Sequence, residues 1–247
     1  MADPMILLAI VATFLLAGFV KGVIGLGLPT VAIGLLSLAM PPAQAAAVLV
    51  VPSLVTNVWQ LAVGASLKAL LRRLWSLLAG ICIGCWAGAG QLTSADSGGA
   101  LAALGIVLVI YAVVGLALPP MKVPARAEPW LSPVIGLLTG VISAATGVFT
   151  IPAVPYLQAL ALERDELVQA LGLMFTVATI SLAVILARDG ALQVSLAGVS
   201  LLALFPALAG MWLGQVVRAR VRPEVFRLFF FLGLLVLGIH LALRAVF

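Results

Sequence analysis

Apolar residues fill the chain in about ten blocks, at roughly 5–24, 28–40, 43–63, 74–92 and 99–118, then 131–147, 148–160, 166–187, 192–216 and 225–246. A bilayer crossing takes about 20 such residues, so most blocks can span and 28–40 and 148–160 cannot. Those two read as half-helices. Between the fifth and sixth blocks, "PPMKVPARAEPW" at 119–130 is the one polar, proline-rich stretch and reads as a linker. The pattern predicts an all-α polytopic membrane protein with a single membrane domain: a first transmembrane repeat over 1–118, a linker over 119–130 and a second repeat over 131–247. The N-terminal block lacks a basic leader, carries Asp3 and runs straight into more apolar sequence, so it reads as a first span and not as a cleaved signal.

The two halves also match in residues. "GFVKGVIGLGLPT" at Gly18 lies against "GLLTGVISAATGVFTIP" at Gly136, pairing Gly18 with Gly136 and Gly22 with Gly140. Further on, "AQAAAVLVVPSLVTNVWQLA" lies against "DELVQALGLMFTVATISLA", pairing Asn57 with Thr179. Each repeat of about five hydrophobic segments therefore holds a Gly/Pro-broken helical hairpin at the same point, the pattern by which broken-helix transporter sites are recognised.

Composition agrees with the class and adds an orientation. The chain is 64% hydrophobic and 9% charged, against about 25% charged for soluble domains. Its net charge of +5 sits mainly in short loops, which reports membrane orientation and not a nucleic-acid partner. "KALLRR" (Lys68, Arg72, Arg73) and "RARVR" (Arg218, Arg220, Arg222) are the strongest clusters. If each broken pair enters and returns on one side, both clusters face the cytoplasm, each repeat has an odd number of crossings, and the repeats are inverted with both termini outside. If each pair is one long crossing, eight spans result, four plus four, and "RARVR" faces outward. The inverted arrangement is preferred because it keeps both clusters inside.

Lys21 stands out against this background, since a charge at mid-bilayer costs about 2.5–3.5 kcal/mol on insertion scales. One reading is snorkelling, with Gly18 and Gly22 packing a neighbouring helix. The other is that the helix breaks between Gly25, Gly27 and Pro29, so that Pro29 or Thr30 opens a half-helix and, with Lys21, makes an anion site. The second repeat offers Thr139, Gly140, Ser143, Thr146, Gly147, Thr150 and Pro152 at the matching point; each hydroxyl can instead bond its own helix. Ser53, Thr56, Asn57 and Gln60 share one helical face, answered by Thr176 and Thr179. All eight acidic residues, Asp3, Asp96, Glu128, Glu163, Asp165, Glu166, Asp189 and Glu224, fall in loops or at segment ends. The charge left within the membrane is positive, which points to an anionic cargo.

"CIGC" at Cys82 and Cys85 has the spacing of a redox pair but lies in a glycine-rich apolar span, where small-residue packing explains it; a membrane thiol-redox carrier is the reading from another class. His240 reads as packing or lipid-facing, the tryptophans as interfacial anchors, and Trp59 alone as a substrate-lining candidate. The "ERDE" at Glu163 reads as a helix cap. No phosphate-binding loop, catalytic triad or metal-ligand spacing is present, so no cofactor is indicated and transport would be secondary.

The glycine-rich first segment running into Pro29, followed by "MPPAQAAAVLVVPSLVTNVWQL", and the second copy from Gly136 resemble the sulfite exporter TauE/SafE family, also described as toluene sulfonate uptake permeases. The resemblance covers nearly the whole chain. It implies an integral inner-membrane transporter of sulfur oxyanions or organosulfonates, such as sulfite or sulfoacetate, with the family's repeat motifs falling on Gly22, Gly25, Gly27 and Pro29 and on Gly140, Gly147 and Pro152. The motif departs from the family's commoner glycine run, with "GLGLP" first and "AATGVF" second. The expected mechanism is alternating access around a midplane anion site, with an anion channel as the alternative. The partners implied are a small anionic substrate and the lipid bilayer, and a homodimer is compatible with them.

Overall fold

The computed structural model describes residues 4–62, 64–94, 97–117, 122–218, 220 and 222–245. Asp3, Asp96 and the first residues of the 119–130 stretch lie outside them. The described residues form ten helices: α1 (Pro4–Ile24), α2 (Leu28–Leu36), α3 (Pro42–Ala62), α4 (Leu67–Ala87), α5 (Ser97–Ala117), α6 (Glu128–Thr146), α7 (Ala153–Ala159), α8 (Arg164–Arg188), α9 (Val194–Arg218) and α10 (Pro223–Arg244). Eight are long and apolar enough to cross a membrane. The other two, α2 with 9 residues and α7 with 7, reach about 14 and 10 Å at 1.5 Å per residue, under half the hydrocarbon thickness.

Helix directions follow from which residues meet. Along α1 and α9, Gly18 faces Ala207 and Gly22 faces Met211, so the two helices run parallel. Along α4 and α6, Gly80, Gly84 and Gly88 meet Pro133, Leu137 and Val141 in turn, again parallel. The pair α3 and α8 is antiparallel, since Ser53 bonds Thr179 whereas Gln60 bonds Val168. The pair α5 and α10 is also antiparallel, with Gly105 against Gly238 and Gly115 against Phe231. Exchanging the halves maps α1/α9 onto α6/α4 and maps α3/α8 and α5/α10 onto themselves. Corresponding helices that run oppositely require a twofold axis across the bundle, so the repeats are inverted.

The broken pairs return to the side they enter. Arg73 bonds both Glu128 at the start of α6 (2.7 and 2.9 Å) and the Leu160 carbonyl just beyond α7 (3.3 Å), and Ser132 meets the Tyr156 hydroxyl at 2.6 Å. In the first repeat α1 runs with α9, and α9 follows α8 through a short turn, so α1 and α3 point the same way. The segment 25–41 must therefore bring the chain back. Eight long helices are present, but not as four single crossings per half with each broken pair fused; each half has a long helix and a returning limb, part unwound and part helical.

Small residues hold this together. A Cβ at Gly18, Gly22, Gly136 or Gly140 would land on a backbone carbonyl of the partner helix, so close α1–α9 and α4–α6 packing requires glycine there. Pro52 lacks an N–H, which frees the Val48 carbonyl four residues back; Ser200 donates to it at 2.7 Å and pins α9 to α3. The α4 helix begins seven residues before the apolar block that marked it, at Leu67, because Leu70, Leu74 and Leu77 face the core while Lys68, Arg72 and Arg73 line its other side.

Candidate functional site

The first break is set by two left-handed glycines, Gly25 (φ 79°) and Gly27 (φ 100°), a conformation that costs other residues steric strain. The last α1 turn closes with the Gly25 N–H on the Lys21 carbonyl (2.8 Å), and α2 starts at Leu28 with Pro29 in its first turn. The first-turn N–H groups of Leu28 and Thr30 have no partner inside the helix by construction. In the second repeat Gly147 (φ 72°) ends α6 and Pro152 precedes α7. Thr30 and Thr150, three residues beyond Gly27 and Gly147, meet Oγ1 to Oγ1 at 3.4 Å. Contact between corresponding residues places them on the pseudo-twofold axis, where the two hairpins converge.

Lys21 is 3% exposed. Its ammonium donates to Thr56 Oγ1 (3.1 Å) and to Asn57 Oδ1. Asn57 Nδ2 donates to Ser53 Oγ (3.0 Å), which meets Thr179 Oγ1 at 3.1 Å. One polar chain thus runs from α1 through α3 into α8, joining the repeats. The α3 face expected to look inward does so: Ser53, Thr56 and Asn57 are fully buried and Gln60 is nearly so. The ion pair found among the described residues, Arg73 with Glu128, lies at the basic end of the bundle, away from Lys21. The ammonium is surrounded by neutral acceptors, and a buried charge without an opposite charge is costly. Within those residues every acid sits at a helix end or cap, with Glu166 bonding back to the Glu163 N–H at 3.4 Å in the expected cap of α8.

The second-repeat hydroxyls behave differently. Thr139, Ser143, Thr146 and Thr176 each donate to a carbonyl four residues back in their own helix, at 2.6–2.7 Å. A hydroxyl has one proton, so these four can accept from a ligand but not donate to it. Gly22 and Gly140 belong to the helix contacts and not to the convergence point. The candidate groups fall into two clusters, asymmetric between the repeats: Lys21, Thr56, Asn57 and Ser53 with Thr179 in one hydrogen-bonded chain, and Thr30 with Thr150 in the other, while Gln60 continues the buried α3 face toward the Gly25 break.

The sequence matches a family model described as sulfite exporter TauE/SafE over residues 10–241. The chain belongs to the TauE/SafE family. Comparison with curated proteins and with solved structures gives no match.

Other candidates in this TauE/SafE family member fall outside the site. Trp59 is 62% exposed on the outer surface of the bundle beside the exposed Val58 and does not line the site, because two helical steps past the buried Asn57 carry it to the opposite side of α3. His240 also faces outward. Cys82 and Cys85 are free thiols, Cys85 being buried where α4 packs on Gly140. Sequence reasoning missed Gln169, whose Nε2 donates to the Leu61 and Gly64 carbonyls (2.8 and 2.7 Å) and whose Oε1 accepts from the Ser66 N–H (2.8 Å). An amide alone in an apolar run was the available signal. It also missed Tyr156, which ties the returning limb to α6.

Proposed function

We infer that this chain is a secondary transporter that moves a sulfur oxyanion or organosulfonate, sulfite or a close relative, across a bacterial inner membrane, probing one midplane site from alternate sides. The carrying observation is the buried Lys21 ammonium without a carboxylate, held by Thr56 and Asn57 one helical turn before the break that leads into α2. Such a cluster offers positive potential and donors to an anion and repels a cation. The family's description as a sulfite exporter supports both cargo and direction. The inverted repeats, converging at Thr30 and Thr150, suit rocking of one half against the other.

Ten of the 13 cations, Lys68, Arg72, Arg73, Lys122, Arg126, Arg164, Arg218, Arg220, Arg222 and Arg227, sit on or beside the helix ends gathered around Arg73 and Ser66. Positive-inside bias makes that end cytoplasmic and puts both termini outside. An inside-negative potential then drives a monoanion outward by about 2.3 kcal/mol per 100 mV, so export needs no coupling carboxylate.

Purified protein in liposomes loaded with sulfite should show saturable counterflow of labelled sulfite. Linear, non-saturating flux would indicate a channel, and absence of any anion flux would overturn the assignment.

A further inference from the structure

Gln60 is the member of the site whose bonding is incomplete. Its Nε2 donates to the Gly25 carbonyl at the α1 break and to the Val168 carbonyl in α8, both at 3.0 Å. Those bonds use both amide N–H groups and fix the orientation, since a flipped amide would set oxygen against two carbonyls. The Oε1 that results has no hydrogen-bond partner among the described residues, although Gln60 is only 8% exposed. A buried acceptor in that condition points to a donor brought from outside.

Lys21 shows the complementary gap. An ammonium has three N–H groups, and Thr56 and Asn57 take two. Gln60 lies three and four residues beyond those partners on the same face of α3, where helical neighbours stand about 5–6 Å apart. The partners that hold the cationic donor and the free neutral acceptor thus occupy successive turns of one buried α3 face. A metal cation on Oε1 would sit beside the ammonium and be repelled by it. An anion that carries a proton donor satisfies both groups at once.

We propose that Gln60 Oε1 accepts a hydrogen bond from the substrate, so that the site selects a sulfur oxyanion bearing its own donor over an equally charged one without it. The donor is a hydroxyl or the acid proton of a hydrogen-oxyanion. The proposal rests on Lys21 as the anion's anchor.

The test is calorimetric titration of the purified full-length protein with sulfite, 2-hydroxyethanesulfonate and ethanesulfonate, the last two equal in charge and similar in size. Wild type should bind the hydroxyl-bearing anion about tenfold more tightly than ethanesulfonate. Gln60→Met, which removes the acceptor, should bring the two affinities to within about twofold. Equal affinities or a preference for ethanesulfonate in wild type, a ratio that survives in Gln60→Met, or binding of sulfite with neither organic anion would overturn the proposal while leaving the anion site standing. Binding of none of the three would overturn the anion site as well. Should Gln60→Met not fold, the wild-type ratio decides alone.

Discussion

Replacing Lys21 with methionine keeps the unbranched stem as far as Cε, removes the charge, and separates a functional lysine from a structural one. In the native chain the ammonium is 3% exposed and bonded to neutral oxygens. In Lys21→Met, Thr56 keeps its 2.7 Å bond to the Pro52 carbonyl and Asn57 keeps its 3.0 Å bond to Ser53. The one group orphaned is Asn57 Oδ1, worth about 1–3 kcal/mol. Against this, the variant is spared the effective desolvation of a buried unpaired ion, about several kcal/mol. Without anion, Lys21→Met should therefore melt at the wild-type temperature or above. Anion binding should fail, because a charge-assisted bond in a partly screened site contributes about 2–4 kcal/mol, or roughly 30- to 1,000-fold in affinity. The assay is thermal unfolding of purified protein with and without sulfite, since a ligand of the native state raises apparent stability by mass action. A variant that melts far below wild type yet keeps its sulfite-induced shift would refute the reasoning and leave Lys21 a packing element.

The same packing argument gives two further outcomes. Gly136→Ala should lower the melting temperature, by about 1–3 kcal/mol of overpacking, because its Cβ would meet the Leu77 carbonyl, whereas Gly198→Ala meets nothing and should be neutral or stabilising by up to about 1 kcal/mol; circular dichroism melts of the pair check this. Cys82→Ser combined with Cys85→Ala should leave sulfite counterflow intact, and loss of flux in a protein that folds normally would revive the thiol-carrier reading.

Much of this architecture is legible in the residues, because the bilayer forces apolar blocks of set length and leaves glycine, proline and charge as conspicuous exceptions. The two breaks fall where Gly25, Gly27 and Gly147 require left-handed backbone. The buried α3 face follows from the spacing of Ser53, Thr56, Asn57 and Gln60. What spacing does not carry is competition for a proton. The hydroxyls of Thr139, Ser143, Thr146 and Thr176 look like ligands in sequence and turn out to be committed to their own helices. Nor does it separate a glycine that opens a site from one that lets helices touch, the case of Gly22 and Gly140. The start of α4 escapes the apolar pattern because Lys68, Arg72 and Arg73 interrupt its first two turns, which are amphipathic and do not register as an apolar block. Long-range partners such as Arg73 with Leu160 depend on the return of α7, which no local pattern encodes.

The central claim is that an anion sits against Lys21 where the two hairpins meet. Selenite, close to sulfite in shape and charge, scatters anomalously, so a crystal of the protein grown with it locates the anion directly. The account predicts an anomalous peak within hydrogen-bond distance of Lys21 Nζ, beside Thr56 and Asn57. Peaks confined to the surface arginines, with none at Lys21, would contradict it.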